Sequence, residues 1–170
     1  IPAGPPLAAA APTTQELAPV GNQAQMQVNW AAPNNNGDAI DSYQLEVYEG
    51  SALVRTITPG AGATSQAVTV PTSESAYTYR IRAHNKAGWG EYSASSAPRR
   101  GVTAPGAPTG LTATPGDRFI DIAYTAGSRN GARANEISYQ YRLNGGGWQG
   151  LSGTRLSGLA NGTNYSVEVR

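Results

Sequence analysis

The only histidine of the 170-residue sequence, His84, is the side chain that could act as the base of a catalytic triad. A triad also needs an activated nucleophile in a defined turn, and the chain contains no Gly-x-Ser-x-Gly motif. His84 alternates with apolar residues of its segment, as Arg80 and Arg82 do, so we expect it to point outwards beside them. The sequence therefore predicts a surface histidine and a protein that is not an enzyme.

Oxygen-bearing side chains cluster at one place, the Asn- and Asp-rich stretch 34–41. Glycoside hydrolysis needs two acids flanking a cleft, whereas Asp38 and Asp41 are predicted to lie on a loop. Calcium takes oxygen ligands from loops and is the alternative, but no Asp-x-Asp-x-Asp spacing occurs. Turn chemistry explains these residue types without a metal, so we predict no metal and no cofactor. The calcium ligands would be Asn34, Asn35, Asn36, Asp38 and Asp41.

Aromatic residues in glycine-rich surroundings are the candidate ligand-binding residues. Trp89 lies between two glycines with Tyr92 nearby, and Trp148 follows a run of three glycines. An exposed tryptophan can stack on a sugar ring or anchor a protein interface. Alternatively, both rings fold back onto the end of their domain or onto the junction between the domains. We predict Trp89, Tyr92 and Trp148 as the ligand-binding residues and keep the second interpretation open.

The composition restricts the partners. The chain has 12 basic and 11 acidic residues and a net charge of +1, which argues against a nucleic-acid-binding stripe. The pair Arg99-Arg100 is too short a run to change this, and we interpret it as a solvated linker. Without cysteine there is no disulfide or thiolate site, and no apolar span predicts membrane insertion. Arginine in place of lysine, with abundant Ala and Gly, indicates a GC-rich bacterial genome.

The elements that must position these residues are short β-strands. Segments of alternating apolar and polar residues, separated by turn-rich stretches, are typical of an all-β sandwich or barrel. The stretches 53–57 and 67–70 are predicted as two further strands. The apolar positions of the alternating segments are Met26, Val28 and Trp30; Tyr43, Leu45 and Val47; and Tyr77, Tyr79, Ile81 and Ala83.

The same pattern occurs a second time, which indicates two domains. A Pro- and Gly-rich junction separates the copies, and in the second copy Asn144-Gly145 predicts a tight hairpin turn. We predict a first domain at 1–102, whose Pro/Ala-rich lead and first strand span 1–20, a linker at 103–107, and a second domain at 108–170. The matching apolar positions are Ile120, Ile122 and Tyr124; Tyr139, Tyr141 and Leu143; and Tyr165, Val167 and Val169.

Strand parity also places opposite charges on an outer face. Glu46 is predicted to lie opposite Arg80 and Arg82 on two neighbouring strands. Cross-strand charge pairs of this kind contribute less than about 1 kcal/mol each. We interpret these three residues as determinants of register and solubility rather than as a site.

These residues together resemble the fibronectin type III family. In the first copy Trp30, Pro33 and the run Tyr77–Gly88 fit the family pattern, with Tyr77 as the corner tyrosine that bonds back to upstream backbone. The second copy fits through Pro108, Leu111 and the run 159–165, with Tyr124 in place of the core tryptophan.

The resemblance implies an all-β fold of two tandem immunoglobulin-like sandwiches. Trp89 and Tyr92 would then lie in the F–G loop, which often carries the binding determinant of the family, and Ser93–Pro98 would form the last strand. Because the sequence ends at Arg170 within strand F, the second sandwich is expected to lack its last strand, which we expect a longer natural chain to supply. No Arg-Gly-Asp motif occurs.

The resemblance also implies a non-catalytic structural spacer or adhesive interaction module of a secreted or surface protein. The expected partners are other domains of the same polypeptide, and another protein or cell-wall carbohydrate. Two alternatives remain open: a carbohydrate-binding accessory module of a larger enzyme, and a phage virion decoration domain. The expected location is extracellular or at the cell surface.

Overall fold

The computed structural model describes residues 2–170; Ile1, the first residue of the predicted lead, lies outside them. The chain divides into two compact units. The first ends at Thr103 and the second is Ala104–Arg170. In the described residues the regular elements are β-strands and a single 3-10 turn at Ala134–Glu136, so the predicted all-β class is confirmed.

The first unit is a sandwich of two antiparallel sheets. One sheet has the strand order β1-β2-β5, and the other has the order β4-β3-β6 with β7 and β8 both paired to β6. The strands are β1 (Thr13–Val20), β2 (Gln23–Asn29), β3 (Ser42–Glu49), β4 (Ala52–Ile57), β5 (Ser65–Pro71), β6 (Ala76–Asn85), β7 (Gly88–Trp89) and β8 (Arg99–Arg100).

The core of the first unit consists of the alternating apolar positions that the sequence predicted. Trp30 packs on Tyr43 with ring centroids 5.6 Å apart. Burying each large apolar side chain contributes about 1.5–3 kcal/mol, and this set fills the space between the two sheets. The fully or almost fully buried members are Met26, Val28, Trp30, Tyr43, Leu45, Val47, Val68, Val70, Tyr77, Tyr79, Ile81 and Ala83.

Two tyrosines of β6 are buried, but their hydroxyl groups differ in hydrogen bonding. Tyr77 donates its hydroxyl to the Pro71 carbonyl at 2.9 Å, as predicted for the corner tyrosine. The Tyr79 hydroxyl is buried and has no hydrogen-bond partner in the described residues. Burial raises the pKa of Tyr79 to about 12, so this hydroxyl stays neutral at physiological pH.

The last strand of the first unit differs from its prediction. The stretch 93–98 runs beside β6, but serine side chains take part in the ladder: the Ile81 amide donates to Ser93 Oγ and the Tyr79 amide donates to Ser96 Oγ, both at 3.0 Å. Regular pairing resumes only at β8, where Arg99 lies opposite Tyr77. The interpretation of Arg99-Arg100 as a solvated linker is therefore wrong, because both residues close the sheet.

The N-terminal lead is held against the loop after β2 and the end of β6. The Gly4 amide donates to the Asn36 carbonyl at 3.0 Å, and the Leu7 amide donates to the Asn34 carbonyl at 2.9 Å. Asn85, which is fully buried, donates its Nδ2 to the carbonyls of Gly4 at 2.8 Å and Asn35 at 2.9 Å. One buried amide therefore joins the lead, the loop after β2 and the end of β6.

The second unit repeats the first on a smaller scale. Its sheets have the orders β13-β10-β9 and β12-β11-β14, and the described residues contain no counterpart of β7 and β8. The second sandwich thus lacks its last strand, as predicted. The strands are β9 (Thr109–Gly116), β10 (Phe119–Thr125), β11 (Tyr139–Leu143), β12 (Gln149–Leu151), β13 (Arg155–Ser157) and β14 (Val167–Val169).

Local features of the second unit match their equivalents. Tyr124 packs on Tyr139 with centroids 5.2 Å apart, as Trp30 does on Tyr43. Asn144 and Gly145 have φ values of 51° and 67°, the geometry that the Asn-Gly pair predicted. The core is smaller: in the described part of this unit the buried apolar residues are Ile122, Ala132 and Leu156.

Candidate functional site

The candidate site lies on the outer face of β3 and β6, opposite the core. Because side chains alternate along each strand, residues 44, 46 and 48 of β3 share this face with residues 80, 82 and 84 of β6. The antiparallel register sets Glu46 opposite Arg80 and Gln44 opposite Arg82. The predicted pairing of Glu46 with Arg80 is confirmed, whereas the predicted pairing with Arg82 is wrong because Gln44 occupies that register position.

Aromatic rings and guanidinium groups alternate across this face. We call the five residues that form this row the arginine ladder: Tyr48, Arg80, Tyr92, Arg82 and Trp89. Arg80 lies over the ring of Tyr48 at 5.0 Å and over that of Tyr92 at 4.4 Å. Arg82 lies over Tyr92 at 4.5 Å and over Trp89 at 4.7 Å. Cation–π contacts of this kind stabilise by about 0.5–1 kcal/mol each at exposed sites.

The ladder covers Glu46, and this corrects the interpretation of Glu46 as a determinant of solubility. The residue is only 6% exposed, with its carboxylate 3.1 Å from Arg80 Nη2 and hydrogen-bonded by the Tyr48 hydroxyl. Burial alone would raise the pKa of Glu46, but the hydrogen bonds from Tyr48 and Arg80, with the nearby Tyr92 hydroxyl, outweigh it and lower that pKa. Glu46 is therefore a buried carboxylate that stays ionised.

The second arginine of the ladder has a neutral partner. Arg82 donates from both Nε and Nη2 to Gln44 Oε1, and the Tyr92 hydroxyl donates to the same oxygen at 2.9 Å. Burial, together with the nearby Glu46 carboxylate, raises the pKa of Tyr92 to about 12, which keeps its hydroxyl a donor. In residues 2–170 no acidic side chain forms an ion pair with Arg82.

His84 stands at the end of the ladder. Its Nδ1 lies 2.7 Å from Asp41 Oδ1, and its ring is 4.7 Å from that of Trp89. The hydrogen bond with His84 lowers the pKa of Asp41. His84 points outwards beside Arg82, as predicted, and its observed contacts are with a carboxylate and a ring rather than with a nucleophile.

The oxygen-rich loop is organised by its own turns. Asn34 Oδ1 accepts from the Asn36 amide at 2.8 Å, and Asn35 Oδ1 accepts from the Gly37 amide at 3.1 Å. Asp38 accepts from a backbone amide of the opposite loop at 3.2 Å. Within residues 2–170 no group of three or more acidic or histidine side chains could hold a metal ion.

The second unit carries a related arrangement. Arg142 on β11 forms an ion pair with Glu168 on β14 at 2.7 Å. The first unit has an ion pair at the same register position, but there the acid, Glu46, is on the first strand and the base, Arg80, on the second. Arg170 donates to Gln140 Oε1 at 2.9 Å, as Arg82 does to Gln44. The guanidinium groups of Arg142 and Arg170 lie over the ring of Trp148 at 4.8 and 4.2 Å.

The predicted ligand-binding residues are thus distributed over two faces. Trp89 and Tyr92 meet on either side of Arg82, and Trp148 lies in the other unit over Arg170. Sequence reasoning missed that Gln44 belongs with this group. The signal that could have found it is the repeated pairing of a glutamine on one strand with an arginine at the matching position of its neighbour.

Among residues 2–170 there is no apolar helical segment that could span a lipid bilayer.

The outer face of β3 and β6 offers cations, aromatic rings and hydrogen-bond donors, which suit the binding of a ligand. An exposed tryptophan and an arginine without an acidic partner are the groups on it that could contact a ligand.

A family model described as "Fibronectin type III domain" matches residues 10–99, and no curated protein matches the chain. Chicken CNTN1 domains FN1-FN3 are 18% identical with a TM-score of 0.47, over 94% of this chain and 55% of theirs. Titin domains A168-A170 are 24% identical with a TM-score of 0.46, over 58% of this chain and 32% of theirs.

The rat CD45 extracellular domains d3-d4 are 20% identical with a TM-score of 0.45, over 58% of this chain and 51% of theirs. The chain therefore spans between a third and about half of the length of these structures. The family model covers more than half of the chain, and it includes the corner tyrosine and the arginine ladder of the first unit. The chain belongs to the fibronectin type III family.

Proposed function

We propose that this chain is a non-catalytic structural spacer that also acts as an adhesive interaction module of a secreted or surface protein. Domains of this family commonly serve as structural or interaction modules. The expected partners are neighbouring domains of the same polypeptide and a molecule that the exposed face can bind.

The observation that supports the spacer role is how the first unit is closed. Its longest strand, β6, pairs with β3 over eight residues and with β7 and β8 on the other side. Outside the sheet, the arginine ladder joins β3 to β6 and to the segment after β7, so the two sides of β6 are held by side chains as well as by backbone. Such cross-linking suits a unit that must resist extension.

Single-molecule stretching of the chain between two marker domains tests this proposal. The first unit should unfold in one cooperative step that releases about 300 Å of chain, since the roughly 90 residues between the start of β1 and the end of β8 each span about 3.3–3.6 Å when extended. Gradual extension without a force peak would contradict a spacer. Saturable turnover of nitrophenyl esters or glycosides that is lost in His84→Ala would contradict a non-catalytic module.

An interaction role is favoured by one further observation. Trp89 is 38% exposed although it packs on Arg82, so part of its ring is available to a ligand. This supports a carbohydrate-binding module as the second candidate function, because an exposed ring beside hydrogen-bond donors can hold a sugar.

A further inference from the structure

The two units share one arrangement that their different loops do not require. In each, an arginine donates to a glutamine of the neighbouring strand and lies under a tryptophan ring. In the first unit these are Arg82 on β6, Gln44 and Trp89. In the second they are Arg170, directly after β14, with Gln140 and Trp148. The tryptophans come from different places, Trp89 after β6 and Trp148 after β11. The combination of ring and guanidinium is therefore retained although the loop that supplies the ring changes.

The charges of these two arginines are not compensated within their faces. The other arginine of each face forms an ion pair, Arg80 with Glu46 and Arg142 with Glu168. Arg82, in contrast, bonds to a neutral amide, and in residues 2–170 it forms no ion pair with an acid. Each face therefore presents one positive charge beside a tryptophan.

Arg82 also keeps donors for a ligand. A guanidinium has five N–H groups, and those that reach Gln44 are on Nε and Nη2. The Nη1 group is bound by none of the described residues, and the side chain is half-buried rather than covered. Trp89 is 38% exposed beside it. An anionic oxygen can thus approach the guanidinium while the rest of the ligand lies against the indole ring.

We propose that the pairs Trp89–Arg82 and Trp148–Arg170 each bind one sugar of an acidic, uronate-bearing polysaccharide. The guanidinium pairs with the sugar carboxylate, and the indole packs on the apolar face of the pyranose ring. A repeating polymer fits better than a unique acidic peptide, because the same pair occurs once in each unit and a polysaccharide offers the same sugar many times. The proposal deepens the interaction part of the proposed function and rests on it.

The test uses the full chain, labelled with ¹⁵N, and trigalacturonate as the ligand. The three tryptophans give separate indole resonances, and Trp30, which is only 7% exposed, serves as an internal control. We expect the Trp89 and Trp148 resonances to shift in a saturable manner while that of Trp30 stays in place. Arg82→Gln should weaken binding at Trp89 about tenfold and leave the Trp148 response unchanged.

Arg55→Gln is the matched control, because it removes the same charge from an exposed position on β4, away from the ladder. It should leave both responses unchanged. The proposal is overturned if Arg55→Gln weakens binding as much as Arg82→Gln, if the methyl-esterified sugar or poly-glutamate binds equally well, or if neither resonance shifts. If the Arg82→Gln spectrum loses its chemical-shift dispersion, the variant is unfolded, and the same binding test is then made with Arg170→Gln in the other unit. Failure of binding would leave the stretching result, and hence the spacer role, unaffected.

Discussion

Replacing Arg80 by methionine tests whether the first unit holds a buried carboxylate that depends on one cation. The change removes the charge but keeps an unbranched side chain between the rings of Tyr48 and Tyr92. It leaves the carboxylate of Glu46, whose side chain is 8% exposed, without its ionic partner. The expected effect is therefore a loss of stability with an unusual pH dependence.

The magnitude follows from the burial of the two partners. Removing one partner of a fully buried ion pair costs about 3–5 kcal/mol. Here the Arg80 side chain is 36% exposed, so solvent already screens the pair. The Tyr48 hydroxyl also continues to bond the carboxylate. We expect Arg80→Met to lower the unfolding free energy of the first unit by about 2–3 kcal/mol at pH 7.

The pH dependence has a definite sign. In the native protein the pKa of Glu46 lies below 4.5, so its contribution to stability is present above pH 4.5 and is lost as the pH falls through the lowered pKa. Without Arg80, less opposes the effect of burial, so the pKa of Glu46 rises relative to the native protein. Protonation then relieves the buried charge, so the difference between Arg80→Met and the native protein should shrink between pH 7 and pH 4.

The assay is urea unfolding of the full chain, followed through the indole resonance of buried Trp30. The matched control is Arg82→Met, whose neutral partner Gln44 leaves no buried charge behind. This control should cost about 1 kcal/mol and show no added pH dependence. Equal, pH-independent losses in Arg80→Met and Arg82→Met would refute the reasoning that Glu46 is a buried charge.

Two further pairs of substitutions in the first unit test buried hydrogen bonds. Tyr77→Phe removes the hydrogen bond to the Pro71 carbonyl and should lower the unfolding free energy by about 1–2 kcal/mol. Tyr79→Phe removes a hydroxyl without a described partner and should be neutral or stabilising. Denaturant midpoints measure both effects, and equal losses of stability would contradict the assignment of one bonded and one unbonded hydroxyl. Asn85→Asp replaces an amide donor by a carboxylate facing carbonyls and should lower the melting temperature of the first unit more than Asn85→Ala does; the reverse order would count against the network.

Strand parity was sufficient to predict which side of the sheet each residue of β3 and β6 occupies. Tyr43, Leu45 and Val47 face the core, as do Tyr77 and its alternating neighbours. This could be predicted because successive side chains of a strand point to opposite faces whatever the rest of the fold does. The corner tyrosine and the Asn144-Gly145 turn were predictable for a similar reason, since each depends on a short segment of chain.

Parity could not predict what lies on top of the outer face. Glu46 was correctly placed opposite Arg80, but its burial depends on Tyr92, which is 46 residues away and reaches the face only because the segment after β7 returns along β6. The Asn85 network likewise joins segments separated by 50 and 81 residues.

The sequence by itself therefore determined the two repeats, the strands with clear alternation and the direction of the side chains on them, because these depend on neighbours along the chain. Only the tertiary structure decided that the charges form a ladder over a buried carboxylate, that Arg99 and Arg100 close a sheet, and that a tryptophan lies over an arginine in each unit. The physical reason is that burial and pKa depend on which distant groups displace water from a side chain.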